Sequence, residues 1–211
     1  PPGVAALKAE MPEVKLHTGG FIAAVFDAAE IIVISPGVPK AEPLVQKAIQ
    51  RGVPVVGDVE LFAQDKPKHA KVIAITGANG KSTVTTLVGE MCKAAGLRTI
   101  VTGNIGLPVL EALMMETPDV YVLELSSFQL DNAGPFEPSA ATVLNITQDH
   151  LDWHGSMDAY AGAKQKIFGT TSLMVLNRED ARVMAMLPEP IRAKLQKPIE
   201  RDHLTFGADM P

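Results

Sequence analysis

The stretch "ITGANGKSTVTTLVGEMCKAAG", Ile75 to Gly96, decides how the chain is read. It divides into a strand end, a tight loop and a helix. The loop carries Gly77, Ala78, Asn79 and Gly80, and Lys81, Ser82 and Thr83 follow at once. The common phosphate loop has the form G-x-x-x-x-G-K-[ST]. Here only two residues separate the glycines, and Ile75 stands where the first glycine of the common form belongs. Val84, Leu87, Val88, Met91, Cys92 and Ala95 then recur at helical spacing, so the helix is expected to pack on a sheet with its N-terminus at the loop. A helix N-terminus offers unpaired N–H groups and partial positive charge, which suit phosphate. Lys81 can bring a mobile cation to the β- and γ-phosphates of a nucleotide, and Ser82 a hydroxyl to Mg²⁺. The plain alternative is a glycine turn followed by a surface lysine.

Outward from this stretch the pattern is α/β. Upstream, "EIIVISPGVP" is a short β-branched run ended by Pro-Gly. In "AEPLVQKAIQRG" the residues Leu44, Val45, Ala48 and Ile49 fit an amphipathic helix stopped at Gly52, and "VPVVGDVELFAQ" adds a short strand and a helix. Strand, helix and strand imply a parallel pair with a right-handed crossover. "MPEVKLHTG" is a further candidate strand. "QDKPKHAK", Gln64 to Lys71, is charged and contains Pro67, and it reads as a linker between residues 1–66 and residues 67–211. Downstream, "KVIAIT", "RTIVTG", "DVYVLELS", "AATVLNIT" and "LMVLN" read as strands, with a helix over "SMDAYAGAKQKIF". The expected architecture is a partial Rossmann-like unit, then a P-loop-type, mostly parallel sheet flanked by helices. The last stretch, "LPEPIRAKLQKPIERDHLTFGADMP", shows little pattern.

Composition narrows the function. A length of 211 residues allows one large domain or two small ones. The formal net charge of -5 leaves no basic surplus to neutralise phosphates, so nonspecific nucleic-acid binding is not expected. The apolar run "FIAAVFDAAEIIVISPGV" is broken by Asp27 and Glu30. A membrane span needs about 20 mostly apolar residues, so the run reads as a helix followed by a buried strand. The single cysteine, Cys92, forms no internal disulfide and fits a small core position. The chain opens "PPGVAALKAE", with no visible signal peptide, and its start reads as internal.

Further residues with chemical potential stand at strand ends. Glu124, in "YVLELSSFQL", falls at the carboxyl end of a strand, where ligands of open α/β sheets collect, and a carboxylate there can hold Mg²⁺. Its alternative is a solvated glutamate. "NITQDHLDWH" gathers Asp149, His150, Asp152 and His154 within six residues. These are oxygen and nitrogen donors for a divalent ion or a substrate, His150 first among them. An acid-rich helix N-terminus is the alternative. Asn104, in "TGNIGLP", can reach a substrate or belong to a simple turn. The Gly37 amide, in "SPGVP", can face a ligand. Lys164 by itself reads as an exposed helix lysine.

Taken in order, "GANGKST", "GNIG", "ELSSFQL" and "QDHLDWH" resemble the Mur ligases of peptidoglycan synthesis, over roughly Ser35 to Asn177. Those enzymes use a short loop of the form G-x-x-G-K-[ST]. The resemblance is strongest to the branch that adds D-glutamate to UDP-N-acetylmuramoyl-L-alanine. It implies a central ATP-binding domain preceded by part of a UDP-substrate domain, and a cytoplasmic monomer with ATP and two Mg²⁺ ions. It implies that Lys81 meets the ATP phosphates, with Gly77 to Thr83 as the phosphate cradle. Ser82 and Glu124 would serve one Mg²⁺, and His150 the second. Gly37, Asn104 and His150 would contact the UDP-sugar peptide. Lys164 matches a lysine that is carbamylated in this family, which would add it to the second metal site and to the catalytic set with Lys81 and His150. Ala78, where the family usually has Thr, and Gln148, where it often has Pro or Glu, are departures. The family's first strand and glycine turn and its C-terminal domain have no counterpart here, so a fragment inactive on its own is expected. Two other readings stay open: a related ligase with another acceptor, and a P-loop regulatory module that switches on nucleotide.

Overall fold

The computed structural model describes residues 3–190 and 200–208. In chain order the elements are α1 Val4–Glu10, α2 Ala23–Ala28, β1 Ile32–Val33, α3 Pro43–Gln50, β2 Val55–Val56, α4 Asp58–Asp65, β3 Lys71–Thr76, α5 Lys81–Ala94, β4 Thr99–Gly103, α6 Val109–Ala112, β5 Val120–Glu124, α7 Ser127–Asn132, β6 Ala140–Val143, α8 Leu151–His154, α9 Met157–Gln165, β7 Leu173–Asn177, α10 Ala181–Met184 and β8 His203–Phe206. They fall into two compact units, Pro1–Ile32 with Lys40–Val55, and Val33–Pro39 with Val56–Pro211.

In the first unit, α3 begins where Pro43 occupies the first turn and the Glu42 carboxylate accepts from the Leu44 N–H. Asp27 on α2 pairs with Lys47 of α3 at 3.1 Å and with Arg51. The candidate strand in "MPEVKLHTG" does not form. Turns and coil run there instead, and Met11 and Val14 stay exposed. An isolated strand has no ladder to complete and no core to face. The strand expected to be buried, β1, is only two residues long; its own Val33 is exposed, and so is Ile31 just before it.

The second unit holds a six-stranded sheet in the order β4-β5-β3-β6-β7-β8. Every neighbouring pair is parallel. A parallel sheet is covered on both faces. One face carries the main core, where Val59 and Phe62 of α4 meet Tyr121 and Leu123 of β5, and Leu130 of α7 meets them too. Phe62 and Tyr121 stack edge to face at 5.1 Å. On the other face, Val84 and Val88 of α5 lie on Ile75 and Val122. The core of this unit includes Val59 and Phe62 of α4. The chain passes between the compact units at Ile32–Val33, Pro39–Lys40 and Val55–Val56. β8 lies in the stretch that shows little pattern, and all four of its residues are exposed.

Parallel strands bring their carboxyl ends to one edge. Ile75 and Gly103 both pair with Glu124, and Thr76 pairs with Val143. The loops after β3, β4, β5 and β6 therefore stand side by side, where ligands of such sheets bind.

Candidate functional site

The glycine loop is held by its neighbour across the sheet. Asn145, just past β6, accepts the Asn79 N–H on Oδ1 at 2.8 Å and donates Nδ2 to the Asn79 carbonyl at 3.0 Å, while its own carbonyl takes the Ala78 N–H at 3.0 Å. The loop closes at Gly80, whose φ of 79° caps α5 in the left-handed region that only glycine enters at no steric cost. Ser82 and Thr83 are exposed on the first turn of α5.

Two lysines converge on this loop. Lys81 Nζ donates to the carbonyls of Gly77 and Ala78, each at 3.0 Å. Lys164 Nζ donates to the same Gly77 carbonyl at 2.9 Å and to Thr76 Oγ1 at 3.2 Å. Lys164 is only 2% exposed, so it is not the surface helix lysine that its sequence context suggests. Burial first, and then the Lys81 charge, pull its pKa down to about 7. Its ammonium lies 4.8 Å from the centre of the Tyr160 ring. The Tyr160 hydroxyl is buried without a partner, and burial pushes its pKa up to about 12.

Glu124 is buried at the end of β5 rather than solvated. Its Oε1 accepts from Asn104 Nδ2 at 2.9 Å, and its Oε2 has no hydrogen-bond partner. An orphaned, buried carboxylate oxygen is costly unless a donor or cation completes it. Gly103 makes this approach possible. At φ 118°, a Cβ there would meet the Glu124 carbonyl oxygen at 2.2 Å. Gly103→Ala is expected to lower stability by ~3 kcal/mol, from strain plus overpacking, as read by urea unfolding.

His150 has φ 51°, the one positive φ outside glycine among the described residues. Such strain persists only where the surroundings hold it, and it concentrates at functional sites. Its ring packs on Phe128 at 4.7 Å, and its Nε2 lies 3.3 Å from Asp149 Oδ2. His154 instead turns to Ser127, with Nε2 3.1 Å from the Ser127 Oγ, and burial lowers its pKa. Asp152 is exposed.

A cavity of about 130 Å³ is lined by Lys81, Asn104, Asp149, His150 and Lys164, together with Ser126, Ser127, Phe128 and Tyr160. A larger one of about 400 Å³, lined by residues such as Ile75, Val88 and Phe206, carries no titratable side chain and offers no chemistry. Gly37 is exposed and outside the small cavity; Asn132 Nδ2 ties its loop through the Val38 carbonyl at 3.3 Å. Among the described residues no three His, Cys, Asp or Glu side chains converge as a ready-made metal site. The Asp149–His154 run thus does not close on an ion by itself. Mg²⁺ is commonly held by one or two carboxylates, with phosphate and water completing the shell, and the free Glu124 Oε2 fits that pattern.

Residues 75–209 match the family model of the Mur ligase middle domain, and residues 1–57 that of the Mur ligase MurD-like N-terminal domain. The chain belongs to the Mur ligase family. A relative from Methylobacillus flagellatus, named UDP-N-acetylmuramoylalanine--D-glutamate ligase, is 58% identical over all of this chain and 44% of its own length. One of the same name from Albidiferax ferrireducens is 47% identical, over all of this chain and 45% of its own. This Mur ligase chain thus spans less than half the length of the curated relatives it matches. The crystal structure of UDP-N-acetylmuramate:L-alanyl-gamma-D-glutamyl-meso-diaminopimelate ligase from Neisseria meningitides shares the fold. It has a TM-score of 0.58 at 20% identity, covering 99% of this chain and 67% of that one. Among the described residues no helix is long and apolar enough to cross a membrane.

Several residues of this Mur ligase site escape a reading of motifs alone. Asn145 follows a strand without a glycine or charge to mark it. Thr76, which joins Lys164 to the Leu125 carbonyl through its hydroxyl, reads as ordinary strand. Ser126, Ser127, Phe128 and Tyr160 sit inside quoted stretches but carry no spacing signal of their own. The available signal is position: each lies within a few residues of a strand end or of Lys164.

Proposed function

We propose that the full-length protein is an ATP-dependent amide ligase that joins D-glutamate to UDP-N-acetylmuramoyl-L-alanine in peptidoglycan synthesis. The observation that carries this reading is the pairing of Lys81 and Lys164 on one loop carbonyl, in a cavity shared with Asn104 and His150. A lysine cation at a helix N-terminus suits a reaction between anions, and the names of the relatives supply the acceptor and the acid. Residues 1–66 are read as part of the UDP-substrate domain and residues 67–211 as part of the ATP-binding domain.

In this reading the terminal carboxylate of the acid attacks the γ-phosphorus of ATP. ADP leaves and an acyl phosphate forms. The amine of D-glutamate then attacks the acyl carbon, phosphate leaves, and the amine loses a proton as the amide forms. The loop from Gly77 to Thr83 cradles the phosphates through the N–H groups that Asn145 does not hold, those from Gly80 to Thr83 foremost, and Lys81 exchanges its two loop carbonyls for phosphate oxygens. Ser82 and Glu124 would hold one Mg²⁺, and His150 and Lys164 a second. Bound Mg²⁺ supplies neutralisation of the phosphate charge. As an ammonium, Lys164 cannot ligate a metal. Its lowered pKa supports the neutral amine, which adds CO₂ and releases a proton to give a carbamate. Gly37, Asn104 and His150 are read as contacts to the UDP-sugar peptide. The protein is read as a cytoplasmic monomer.

The test is phosphate release by the full-length protein with ATP, Mg²⁺ and UDP-N-acetylmuramoyl-L-alanine, adding D-glutamate and each common amino acid in turn. Release only with D-glutamate, and only with the UDP-substrate, is expected. Release with another amino acid would change the acceptor. Release indifferent to both would replace the ligase with a nucleotide switch.

A further inference from the structure

The double serine of "ELSSFQL" divides its work. Ser126 caps α7: its Oγ accepts from the Gln129 N–H at 3.2 Å, and Gln129 Oε1 accepts from the Ser126 N–H at 3.1 Å. One serine is enough for a cap. Both serines line the cavity beside the lysines and His150, but Ser127, 2% exposed, takes no part in that cap. Its Oγ lies 3.1 Å from His154 Nε2.

His154 is built to hold that position. Its ring lies parallel to Phe128, 9° between planes and 5.9 Å between centres, and leans on Tyr160 at 5.4 Å. Its backbone N–H closes on the His150 carbonyl at 3.1 Å. Two rings and the backbone therefore fix the direction in which Nε2 points. A neutral imidazole carries one N–H, and the partner decides where it sits. If Nε2 accepts the serine proton, only serine lone pairs face the cavity. If Nε2–H donates to Oγ, the serine proton is free to donate onward. A cavity lined by Lys81 at the start of α5 takes an anion, and an anion is met by a proton rather than by lone pairs.

We infer that Ser127 is a substrate-binding residue whose O–H donates to a carboxylate oxygen of the acid substrate, and that His154 is the positioning residue that directs it by donating Nε2–H to Oγ. The inference rests on the ligase reading above and adds to it a residue pair that recognises the reacting acid rather than the nucleotide.

Three variants of the full-length protein test this. Ser127→Ala removes the donor. His154→Phe keeps a ring against Phe128 and removes the hydrogen bond. His154→Gln keeps an N–H donor. Ser127→Ala and His154→Phe are each expected to raise KM for UDP-N-acetylmuramoyl-L-alanine by about tenfold, with KM for ATP unmoved and kcat falling less than KM rises. The double variant is expected to be no worse than Ser127→Ala, because the two act through one contact, and His154→Gln to recover most of the loss. An unmoved KM for the acid in Ser127→Ala would overturn the inference. So would effects that multiply in the double variant, or a parallel rise in KM for ATP. If His154→Phe does not fold, Ser127→Ala and His154→Gln still decide it. An unsubstituted protein that shows no acid-dependent turnover would instead sink the ligase reading, and this inference with it.

Discussion

Lys81→Ala is expected to lower kcat of the full-length protein by about a thousandfold, the scale of removing a cation from a phosphoryl-transfer site. Phosphate release measures it. The structural loss is small by comparison. Lys81 makes two hydrogen bonds to loop carbonyls, and Gly77 keeps its bond from Lys164 when Lys81 goes. The loop itself is anchored by Asn145 and by Gly80, neither of which depends on the lysine. Stability should therefore fall by only about 1 kcal/mol. There is a second consequence. The Lys81 charge helps to hold the Lys164 pKa down, so its removal lets Lys164 rise and become more cationic at neutral pH. Lys81→Arg is not a rescue, since a planar guanidinium does not fit between two carbonyls placed for a point charge. A variant within about tenfold of the parent, well short of that scale, would take the loop out of the chemistry.

How much of this site can be read from the sequence depends on where each side chain finds its partner. The glycine loop is legible because strand, glycines, Lys-Ser-Thr and helix lie in one run. The strand ends at Glu124 and His150 are legible as places but not as states. Nothing in "YVLELSSFQL" says that Glu124 is buried with one oxygen unpaired, because the Asn104 amide that takes the other oxygen comes from the loop after β4. Strand order decides this: β5 lies between β4 and β3, an arrangement that no local pattern encodes. Lys164 is the sharpest case. Its helix context gives an exposed lysine, and only family resemblance raises it, yet its amine ends against Thr76 and Gly77, more than eighty residues away. Gln129 on α7 reaching Asp58 on α4 is the same lesson in a structural role. β8 went unread for the opposite reason: His203, Leu204, Thr205 and Phe206 do alternate, but the run is only four residues long, the shortest that such a pattern can mark.

Lys164→Met is expected to remove turnover to a similar extent and, separately, to change how stability depends on pH. The second effect follows from the shifted amine. Folded Lys164 has its pKa lowered to about 7, against a reference of 10.5 for the unfolded chain. Below about 7 both states carry the proton, and the folded state bears the whole cost of a buried ammonium. Between about 7 and 10.5 the unfolded chain binds more protons than the folded one, so stability rises with pH, by at most about 1.4 kcal/mol per unit. Above that window both states are neutral and the slope ends. Methionine fills similar space without a proton, so the variant loses this slope, which urea unfolding from pH 6.5 to pH 9.5 would reveal as a flat line against a rising parent. A slope that survives in Lys164→Met belongs to another group and would remove the buried amine from the account. Turnover adds the functional half. Because CO₂ adds only to the neutral amine, the parent should lose activity when CO₂ is stripped from the buffer and regain it with bicarbonate. That dependence should strengthen as pH falls below about 7, where protonation withdraws the reactive form. Activity indifferent to CO₂ would leave Lys164 as a buried cation that holds the Gly77 carbonyl and nothing more.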